Sequence, residues 1–471
     1  MNFVAACLDE TEHQAQRSGD PRNVGSARPR TVTGGTSAQR NGGNMVAITE
    51  RAAPTAGSMW QNIGAALVGN LLEWYDFAVY GFMAAMIGKA FFPATDPLNS
   101  LLLSFAVFGV GFLGRPIGSV VIGWLGDVKG RKPALVITIL TMAVSTVLIG
   151  LVPGYATIGI AAPIVVVLAR LLQGFSTGGE AGNSMAYMVE WAPADRRGLY
   201  GGFQQCSSAM GFLLGSGMAA ATASLLATDA MESWGWRVPF LIGGIIGPVG
   251  AYLRRYSEES PAFQQVVDRP AIKTPAATAF FLTARGFGFT VMWTVAYYIF
   301  LVFMPSLTKT AGKLSASEAL WSNTLGLLAL VICAPLMGRL SDRVGRKPLL
   351  LTGCILFFLL TYPAFSVIAS GVSLATIMLV QFGLGVMLAI TSGVSPTAIS
   401  EIFPTHNRTT WMSIGYTLSV TIFGGFAPFI AAWLIKETGS SVAPTYYVMA
   451  AAVVSFIVIA RMPETAHRPL D

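Results

Sequence analysis

Five ionisable residues lie inside otherwise apolar stretches of this sequence, and they are the first candidates for chemistry. They are Glu73, Asp76, Arg115, Arg170 and Glu180. An Arg, Lys or Asp side chain at the depth of a lipid bilayer costs at least about 2.5–3.5 kcal/mol, so it persists when it faces a polar cavity or a partner. The later part of the chain has no charge placed as deeply in an apolar run. We therefore expect the two parts to be functionally unequal, with protonation chemistry in the first.

One helical stripe carries Asn70, Glu73, Asp76 and Tyr80, because their spacing of i, i+3, i+6 and i+10 follows the helical period. Two carboxylates three residues apart repel each other in a medium of low dielectric constant, which favours a bound proton. The pair is therefore predicted to exchange a proton, and the spacing does not choose between Glu73 and Asp76. Asn70 and Tyr80, on the same stripe, are candidates to bind the substrate. The alternative is that both bind polar groups of neighbouring helices.

Two arginines need an anion or another acceptor. Arg170 cannot neutralise itself by losing a proton, so an acidic substrate or a buried carboxylate is expected beside it. Gln173 continues the same helical face and is, with Arg170, a candidate to bind the substrate. Arg115 precedes a proline and has three interpretations: it extends towards the membrane surface, binds carbonyl groups of a neighbouring helix, or holds a substrate carboxylate. Glu180 stands among glycines, which favours a role in helix contact or gating over substrate binding.

Further along the chain, Tyr297 and Gln381 are candidates to complete a substrate cavity, together with Trp293 and Tyr298. The alternative is that they pack, or anchor their helices at the membrane interface, as aromatic residues of membrane helices commonly do.

A charged loop occurs twice. The stretch GWLGDVKGRKPAL begins at Gly123, and GRLSDRVGRKPLL begins 215 positions later at Gly338. A second pair repeats at an offset of 211 and consists of Glu190 with Arg197 and Glu401 with Arg408. Two repeats at nearly one offset predict two equivalent halves. The residues shared by the loops include Gly123, Asp127, Gly130, Arg131 and Lys132 in the first copy and Gly338, Asp342, Gly345 and Arg346 in the second.

The composition indicates an integral membrane protein. Charged residues make up 11% of the chain and hydrophobic residues 53%, against roughly 25% charged in a soluble domain, and the mean hydropathy is +0.60. The net charge of +7 comes from short loops, so it indicates topology and not nucleic-acid binding. The four cysteines are far apart and the three histidines lie outside the apolar runs. We therefore expect no disulfide framework, metal site or cofactor.

Twelve apolar runs of about 20 residues have the length that crosses a bilayer. They cover residues 60–86, 99–122, 133–152, 158–190, 199–226, 237–254, 280–305, 318–337, 349–369, 374–400, 409–434 and 445–461. Alternate loops hold sixteen Lys and Arg residues against five in the others, so the richer set, with both termini, is predicted to be cytoplasmic.

The predicted fold is an all-α membrane protein with two six-helix bundles, residues 59–254 and 280–461. A disordered segment, 1–58, precedes them, and Met45 is an alternative start of the chain. A polar cytoplasmic linker, 255–279, joins the bundles, and a short tail, 462–471, follows.

The duplicated loop, the two groups of six spans and the repeated Glu-x-x-Pro…Arg pattern resemble the major facilitator superfamily. Within it, four stretches are similar to the metabolite:proton symporters, which include citrate, α-ketoglutarate, shikimate and proline/betaine carriers. These stretches are GNLLEWYDFAVYGF (69–82), GFLGRPIG (111–118), LLQGFSTGGE (171–180) and WGWRVPF (234–240). The resemblance implies secondary active transport by alternating access, in the cytoplasmic (inner) membrane and by a monomer.

Tyr75-Asp76 and the frame from Arg170 to Arg197 also resemble the sugar porters of the superfamily. That resemblance implies that Asp76 carries the coupling proton and that Arg170 is its switchable partner, with a permanent ion pair as the alternative. It also implies that the repeated loops and the two Glu…Arg pairs latch the halves together on the cytoplasmic side. At the end of a helix Asp127 needs Arg131 or the N-terminus of another helix as its partner.

The predicted function is proton-coupled import of a small organic acid such as citrate, with the lipid bilayer and the substrate as the partners. The alternative is uptake of a zwitterionic osmolyte such as proline or betaine. An efflux carrier and a membrane-embedded enzyme are less favoured, because the sequence has no catalytic or metal-ligand cluster.

Overall fold

The computed structural model describes residues 56–129, 131–178, 180–254, 275–403 and 408–468, and this part of the chain contains helices and turns but no strand. Most of the segment predicted to be disordered, and most of the linker, lie outside the described residues.

Twelve helical segments correspond to the twelve predicted spans, which confirms the all-helical membrane fold. The first six are Ala56–Phe82 with Ala84–Phe91, Pro97–Lys129, Arg131–Leu151, Ala161–Thr177 with Glu180–Trp191, Arg197–Leu225, and Val238–Arg254. The last six are Ala276–Tyr298 with Met304–Thr310, Ala316–Val344, Arg346–Ala369, Leu374–Ser392 with Ser395–Ile402, Arg408–Ser419 with Ala427–Thr438, and Pro444–Ala460. Short π-helical segments, Ile299–Phe303 and Val420–Gly424, join the parts of the seventh and eleventh spans. Within the described residues, seven helices are long and apolar enough to cross a membrane, judged by length and composition alone.

The fourth and tenth spans are broken, whereas the sequence predicts continuous helices there. The breaks follow Thr177 and Ser392, which are 215 positions apart, the offset of the repeated loop. Close packing accounts for both, because a Cβ at Gly178 or Gly393 would overlap a backbone oxygen of the neighbouring helix. A residue without a side chain permits this approach and weakens the helix at the same point.

The packing of helices repeats in the two halves. The first span packs on the fifth, the second on the fourth and the third on the sixth. The seventh likewise packs on the eleventh, the eighth on the tenth and the ninth on the twelfth. Adding six to each span number therefore converts one set of contacts into the other.

The halves meet mainly where the fifth span packs on the eighth and the second on the eleventh. Ser216 and Thr324 form a hydrogen bond of 2.8 Å across the first of these contacts. The seventh span is highly enclosed, with 94% of its apolar window buried. The interior between the halves is therefore bounded by the first, fifth, seventh and eleventh spans.

Candidate functional site

A central cavity lies between the two halves. Its walls come from the first, fourth and fifth spans on one side and from the seventh and eleventh on the other. The lining residues are Trp74, Met185, Gln204, Gln205, Ser208, Trp293, Thr294, Tyr297, Tyr298 and Tyr416. A ligand here would contact both halves, which is the position that a transporter needs for alternating access.

Four polar atoms of this lining are buried and lack a hydrogen-bond partner in the described part of the chain. They are the Tyr297 and Tyr298 hydroxyls, Thr294 Oγ1 and Gln204 Oε1. An unsatisfied buried polar group costs roughly 1–3 kcal/mol. Because these four belong to one cavity, they favour a site for a polar ligand.

Aromatic rings dominate the same cavity. The ring centroids of Trp293 and Tyr416 are 5.7 Å apart, and those of Trp74 and Tyr297 are 6.1 Å apart. Tyr297 also lies 6.0 Å from Tyr298. Ring faces attract cations, and several of them together recognise methylated ammonium groups.

Arg115 lies next to this aromatic cavity, and only 1% of it is exposed. Its guanidinium carbon is 5.6 Å from the centroid of Trp74, 4.8 Å from that of Phe77 and 4.5 Å from that of Phe112. Its Nε and Nη2 atoms find no hydrogen-bond acceptor among the described residues. Of the three interpretations of Arg115, the buried position disfavours extension towards the membrane surface.

Arg170, which is 0% exposed, connects to the carboxylate stripe through side chains. Its Nη1 donates to Gln173 Oε1 at 2.8 Å, and Gln173 Nε2 donates to Thr146 Oγ1 at 2.8 Å. Thr146 in turn lies beside Asp76. The guanidinium also stacks on Phe77, 4.7 Å from the ring centroid. Arg115 and Arg170 therefore share one aromatic ring.

Glu73 and Asp76 are both buried, with 8% and 5% exposure. They line a second cavity, which lies within the first six spans. The fourfold stripe predicted from the sequence does not face this cavity as a unit, because Asn70 and Tyr80 are absent from its described lining.

Three predicted binding residues form helix contacts. Asn70 donates to Ser208 Oγ at 2.8 Å and accepts from Trp74 Nε1, so it joins the first and fifth spans. Tyr80 donates to the Ser104 carbonyl at 3.4 Å, while its ring lies under Arg170. Gln381 donates to Ser322 Oγ at 2.7 Å and joins the tenth and eighth spans. None of these three is among the described residues that line the central cavity, whereas Tyr297 is.

The second copy of the repeated loop holds the two halves together. Asp342 accepts hydrogen bonds from the backbone nitrogens of Gly198 and Leu199 at 2.7 and 2.9 Å. These nitrogens belong to the first turn of the fifth span, where unpaired N–H groups and the helix dipole attract an anion. Arg346 Nη1 lies 2.9 Å from the same carboxylate. Asp342 thus has both an arginine and the N-terminus of another helix as partners, the two kinds that the sequence predicts for the equivalent Asp127 of the first loop.

Two glycines of the loop have geometric roles. Gly345 adopts φ +104°, a conformation that favours glycine, at the turn between the eighth and ninth spans. Gly338 packs against the backbone of Gly198 with no room for a Cβ.

The Glu401 carboxylate extends this network. Arg346 Nη2 lies 3.3 Å from Glu401 and Arg197 Nη1 lies 4.0 Å from it. The tail after the last span joins the network, since Thr465 donates to Glu401 at 2.7 Å and Arg197 donates to the Arg468 carbonyl at 2.7 Å. Buried charges that satisfy one another in this way hold one arrangement of the helix ends.

Glu464, also in the tail, accepts hydrogen bonds from four backbone N–H groups, including those of Arg346 and Lys347. Burial alone would raise the pKa of Glu464, but these four donors lower it.

Six predicted latch residues lie outside the described part of the structure, either as whole residues or in their surroundings, namely Gly123, Asp127, Gly130, Arg131, Lys132 and Arg408. The side chain of Glu180 is outside it as well. Glu190 is half-buried near the end of the helix Glu180–Trp191.

The sequence prediction missed most of the cavity lining: Trp74, Met185, Gln204, Gln205, Ser208, Thr294 and Tyr416. Trp74 had a signal, because it stands four residues after Asn70 and therefore on the same helical face. The glutamines and Tyr416 lie in spans without a deep charge, so nothing in the local sequence singled them out.

Comparison with known proteins identifies relatives along nearly the whole chain. The family described as Major Facilitator Superfamily matches residues 294–470, and the family described as Sugar (and other) transporter matches residues 62–280. A proline/betaine transporter of Salmonella typhimurium is 38% identical over 88% of this chain and 85% of its own length. A citrate-proton symporter of Klebsiella pneumoniae is 37% identical over 82% of this chain and 87% of its own length. A solved structure of the proton:xylose symporter XylE superposes with a TM-score of 0.75 at 20% identity, covering 88% of this chain and 98% of that one.

Proposed function

The chain belongs to the major facilitator superfamily, and we propose that it imports a small zwitterion of the proline or betaine type together with a proton. As a member of this superfamily, it is a multi-pass membrane transporter and not an enzyme.

The observation that carries the proposal is the junction of Arg115 with the aromatic cavity. A zwitterion presents a carboxylate and an ammonium group a few ångströms apart. Arg115 has two donors without an acceptor among the described residues, which suits the carboxylate. Trp293, Tyr297 and Tyr416 line the adjacent space and offer ring faces to the ammonium group.

The names of the relatives support this substrate class. Four relatives that are 37–38% identical over 88% of this chain are named as transporters of proline and betaine or of glycine betaine, proline, ectoine and pipecolic acid. These compounds are zwitterions, and glycine betaine is a quaternary ammonium compound.

An organic acid is the second candidate. It has the support of the citrate-proton symporter among the relatives and of the two buried guanidinium groups. However, citrate carries up to three negative charges, and the described lining of the central cavity contains no Lys, Arg or His. Among the described residues, Arg115 is the cation that stacks on a ring of this lining, that of Trp74, so a zwitterion, which needs a single cationic partner, is favoured.

In the proposed cycle, Asp76 binds and releases the proton. Loss of its negative charge would change the electrostatic environment of Arg170, which is linked to Asp76 through Gln173 and Thr146. Arg170 and Arg115 stack on the same ring, that of Phe77. Protonation of Asp76 thereby changes the position or charge balance of the group that holds the substrate carboxylate, which couples proton and substrate binding.

Uptake by the purified full chain in proteoliposomes tests the proposal. Radiolabelled glycine betaine, proline and citrate are supplied outside, with and without an inward proton gradient. We expect glycine betaine or proline to accumulate only with the gradient. Exclusive accumulation of citrate would favour the second candidate, and a lack of any gradient effect would contradict proton symport.

Two arginine variants sharpen this experiment. Arg115→Gln is expected to reduce uptake at least tenfold, because a charge-assisted pair contributes roughly 1.5–3 kcal/mol. Arg285→Gln is the matched control, since Arg285 is exposed at the start of the seventh span. Equal losses in the two variants would argue against Arg115 as a substrate ligand.

A further inference from the structure

The cavity beside Asp76 is separate from the central cavity. Its described lining comes from the first, third, fourth and sixth spans, all in the first half, and includes Glu73, Asp76, Thr138, Ser176 and Gly247. The two cavities share no described lining residue. The carboxylates therefore face a space that does not depend on contact between the halves.

Asp76 lies at one end of the lining that the first span contributes to this cavity. Asp76 Oδ1 is buried and has no hydrogen-bond partner among the described residues. Gly243 of the sixth span packs directly against this oxygen, because a Cβ there would come within 2.6 Å of Oδ1. Thr146 of the third span lies on another side. A carboxyl oxygen that is buried, unpaired and next to a cavity is placed to exchange a proton with that cavity.

The charged groups that act on Asp76 come from two spans. Glu73 lies on the same helix, and Arg170 approaches from the fourth span. The third and sixth spans present Thr146 and Gly243, which carry no charge.

The cavity extends from Asp76 in one direction. Along the first span the lining runs back to Gly69, and along the third span back to Thr138. Along the fourth span it runs forward to Thr177, and along the sixth forward to Gly247. The first and third spans cross the membrane in one direction, and the fourth and sixth cross it in the other. Moving back along the first pair and forward along the second pair therefore leads to the same end of the bundle. That end carries the Lys- and Arg-rich loops and is the predicted cytoplasmic end.

Polar groups mark this path. Glu73 stands one turn from Asp76, and Ser176, whose hydroxyl donates to the Thr138 carbonyl, stands further along. Hydroxyl and carboxyl groups both donate and accept hydrogen bonds, as a chain of water molecules requires.

We propose that the proton passes between Asp76 and the cytoplasm through this crevice inside the first six-helix bundle, and not through the central substrate cavity. The inference rests on the proposed proton symport. It also implies that closure of the latch around Asp342, which joins the fifth and eighth spans, leaves the proton route open.

A bulky side chain placed in the crevice tests the proton route. Ile139 is a half-buried lining residue, and Leu140, the next residue on the same helix, is 44% exposed and not part of the described lining. In proteoliposomes, Ile139→Trp is expected to reduce gradient-driven uptake of radiolabelled glycine betaine at least tenfold. Counterflow of the same compound at equal pH on both sides should stay within twofold, and Leu140→Trp should leave both unchanged. Parallel loss of uptake and counterflow in Ile139→Trp, or equal effects of the two variants, would overturn the route.

A labelling experiment keeps the route testable if Ile139→Trp does not fold. The four native cysteines are replaced by serine, and Ile139→Cys and Leu140→Cys are treated with a membrane-impermeant thiol reagent in inside-out vesicles and in whole cells. We expect Ile139→Cys to react at least tenfold faster than Leu140→Cys, and only in the inside-out vesicles. Equal rates, or reaction from the outside, would overturn the route. Failure of symport itself would appear separately, as absence of gradient-driven uptake by the unmodified chain.

Discussion

Replacing Asp342 with asparagine should release the contact between the two halves at their predicted cytoplasmic end. The carboxylate accepts two backbone hydrogen bonds from the first turn of the fifth span and pairs with Arg346. It is also buried. Asparagine has nearly the same shape, so the change removes the charge and one acceptor while the packing stays nearly the same.

The magnitude follows from these contacts. A hydrogen bond to a charged group contributes roughly 1.5–3 kcal/mol, and the attraction of a helix N-terminus for an anion adds about 0.3–1 kcal/mol. Asparagine keeps one neutral acceptor, and Arg346 keeps Glu401 as a partner. A net loss of about 3 kcal/mol is therefore expected, which lowers the ratio of closed to open molecules roughly 100-fold.

Electron–electron distance measurement detects this shift. Spin labels are placed at Ala194 and Arg343, which are exposed residues near the contacting ends of the two halves, after the native cysteines are replaced. Asp342→Asn should move a large part of the distance distribution to longer values. Asp195→Asn is the control, because Asp195 pairs with Arg196 only at the surface, with side chains 75% and 51% exposed, and such pairs contribute about 0–1 kcal/mol. An unchanged distribution in Asp342→Asn, or the same shift in both variants, would show that this carboxylate does not hold the two halves together.

Three further outcomes are expected. Trp293→Leu should weaken binding of glycine betaine about 2- to 30-fold, corresponding to about 0.5–2 kcal/mol for a cation–π contact. Titration calorimetry measures this binding, and the control variant Trp433→Leu, at a 46% exposed site, should bind glycine betaine as tightly as the unmodified chain. Gly174→Ala should lower the melting temperature in detergent by several degrees, because its Cβ would overlap backbone of the second span; Gly383→Ala, with nothing within 4 Å, should not. Glu464 has a lowered pKa, so the stabilisation of the tail is complete above the ordinary value of 4.5 and is lost as the pH falls through the lowered one. Glu464→Gln should therefore speed hydrogen exchange of the tail several-fold at pH 7, and by less at pH values below the lowered pKa.

The fold could be predicted because its signals are local and repeated. Apolar runs of bilayer length give the number of spans, and the recurrence of the loop at Gly123 and Gly338 gives the division into halves. The breaks after Thr177 and Ser392 could not be read in the same way. They result from backbone contact with a neighbouring helix, and the sequence of one helix does not identify its neighbour.

The candidate site was predictable to a smaller extent. Helical periodicity correctly grouped Glu73 with Asp76, which line one cavity, and the search for deep charges identified Arg115 and Arg170. The same reasoning placed Asn70 with the carboxylates, but its side chain faces the fifth span. It also gave no indication of Tyr416, whose role as cavity lining depends on the rotation of the eleventh span.

From the sequence alone one obtains a helical membrane protein with two related halves, in which the charges placed deepest in apolar runs belong to the first half. These properties follow from hydropathy, spacing and repetition, which are features of the linear chain, whereas the expectation of transport came from the resemblance of its motifs to the major facilitator superfamily. The packing of the helices, in contrast, places Arg115 beside an aromatic cavity, links Arg170 to Asp76 through Gln173 and Thr146, and gives the carboxylates a cavity of their own. A helix's sequence determines which residues share a face, whereas the crossing and rotation of packed helices determine what that face meets.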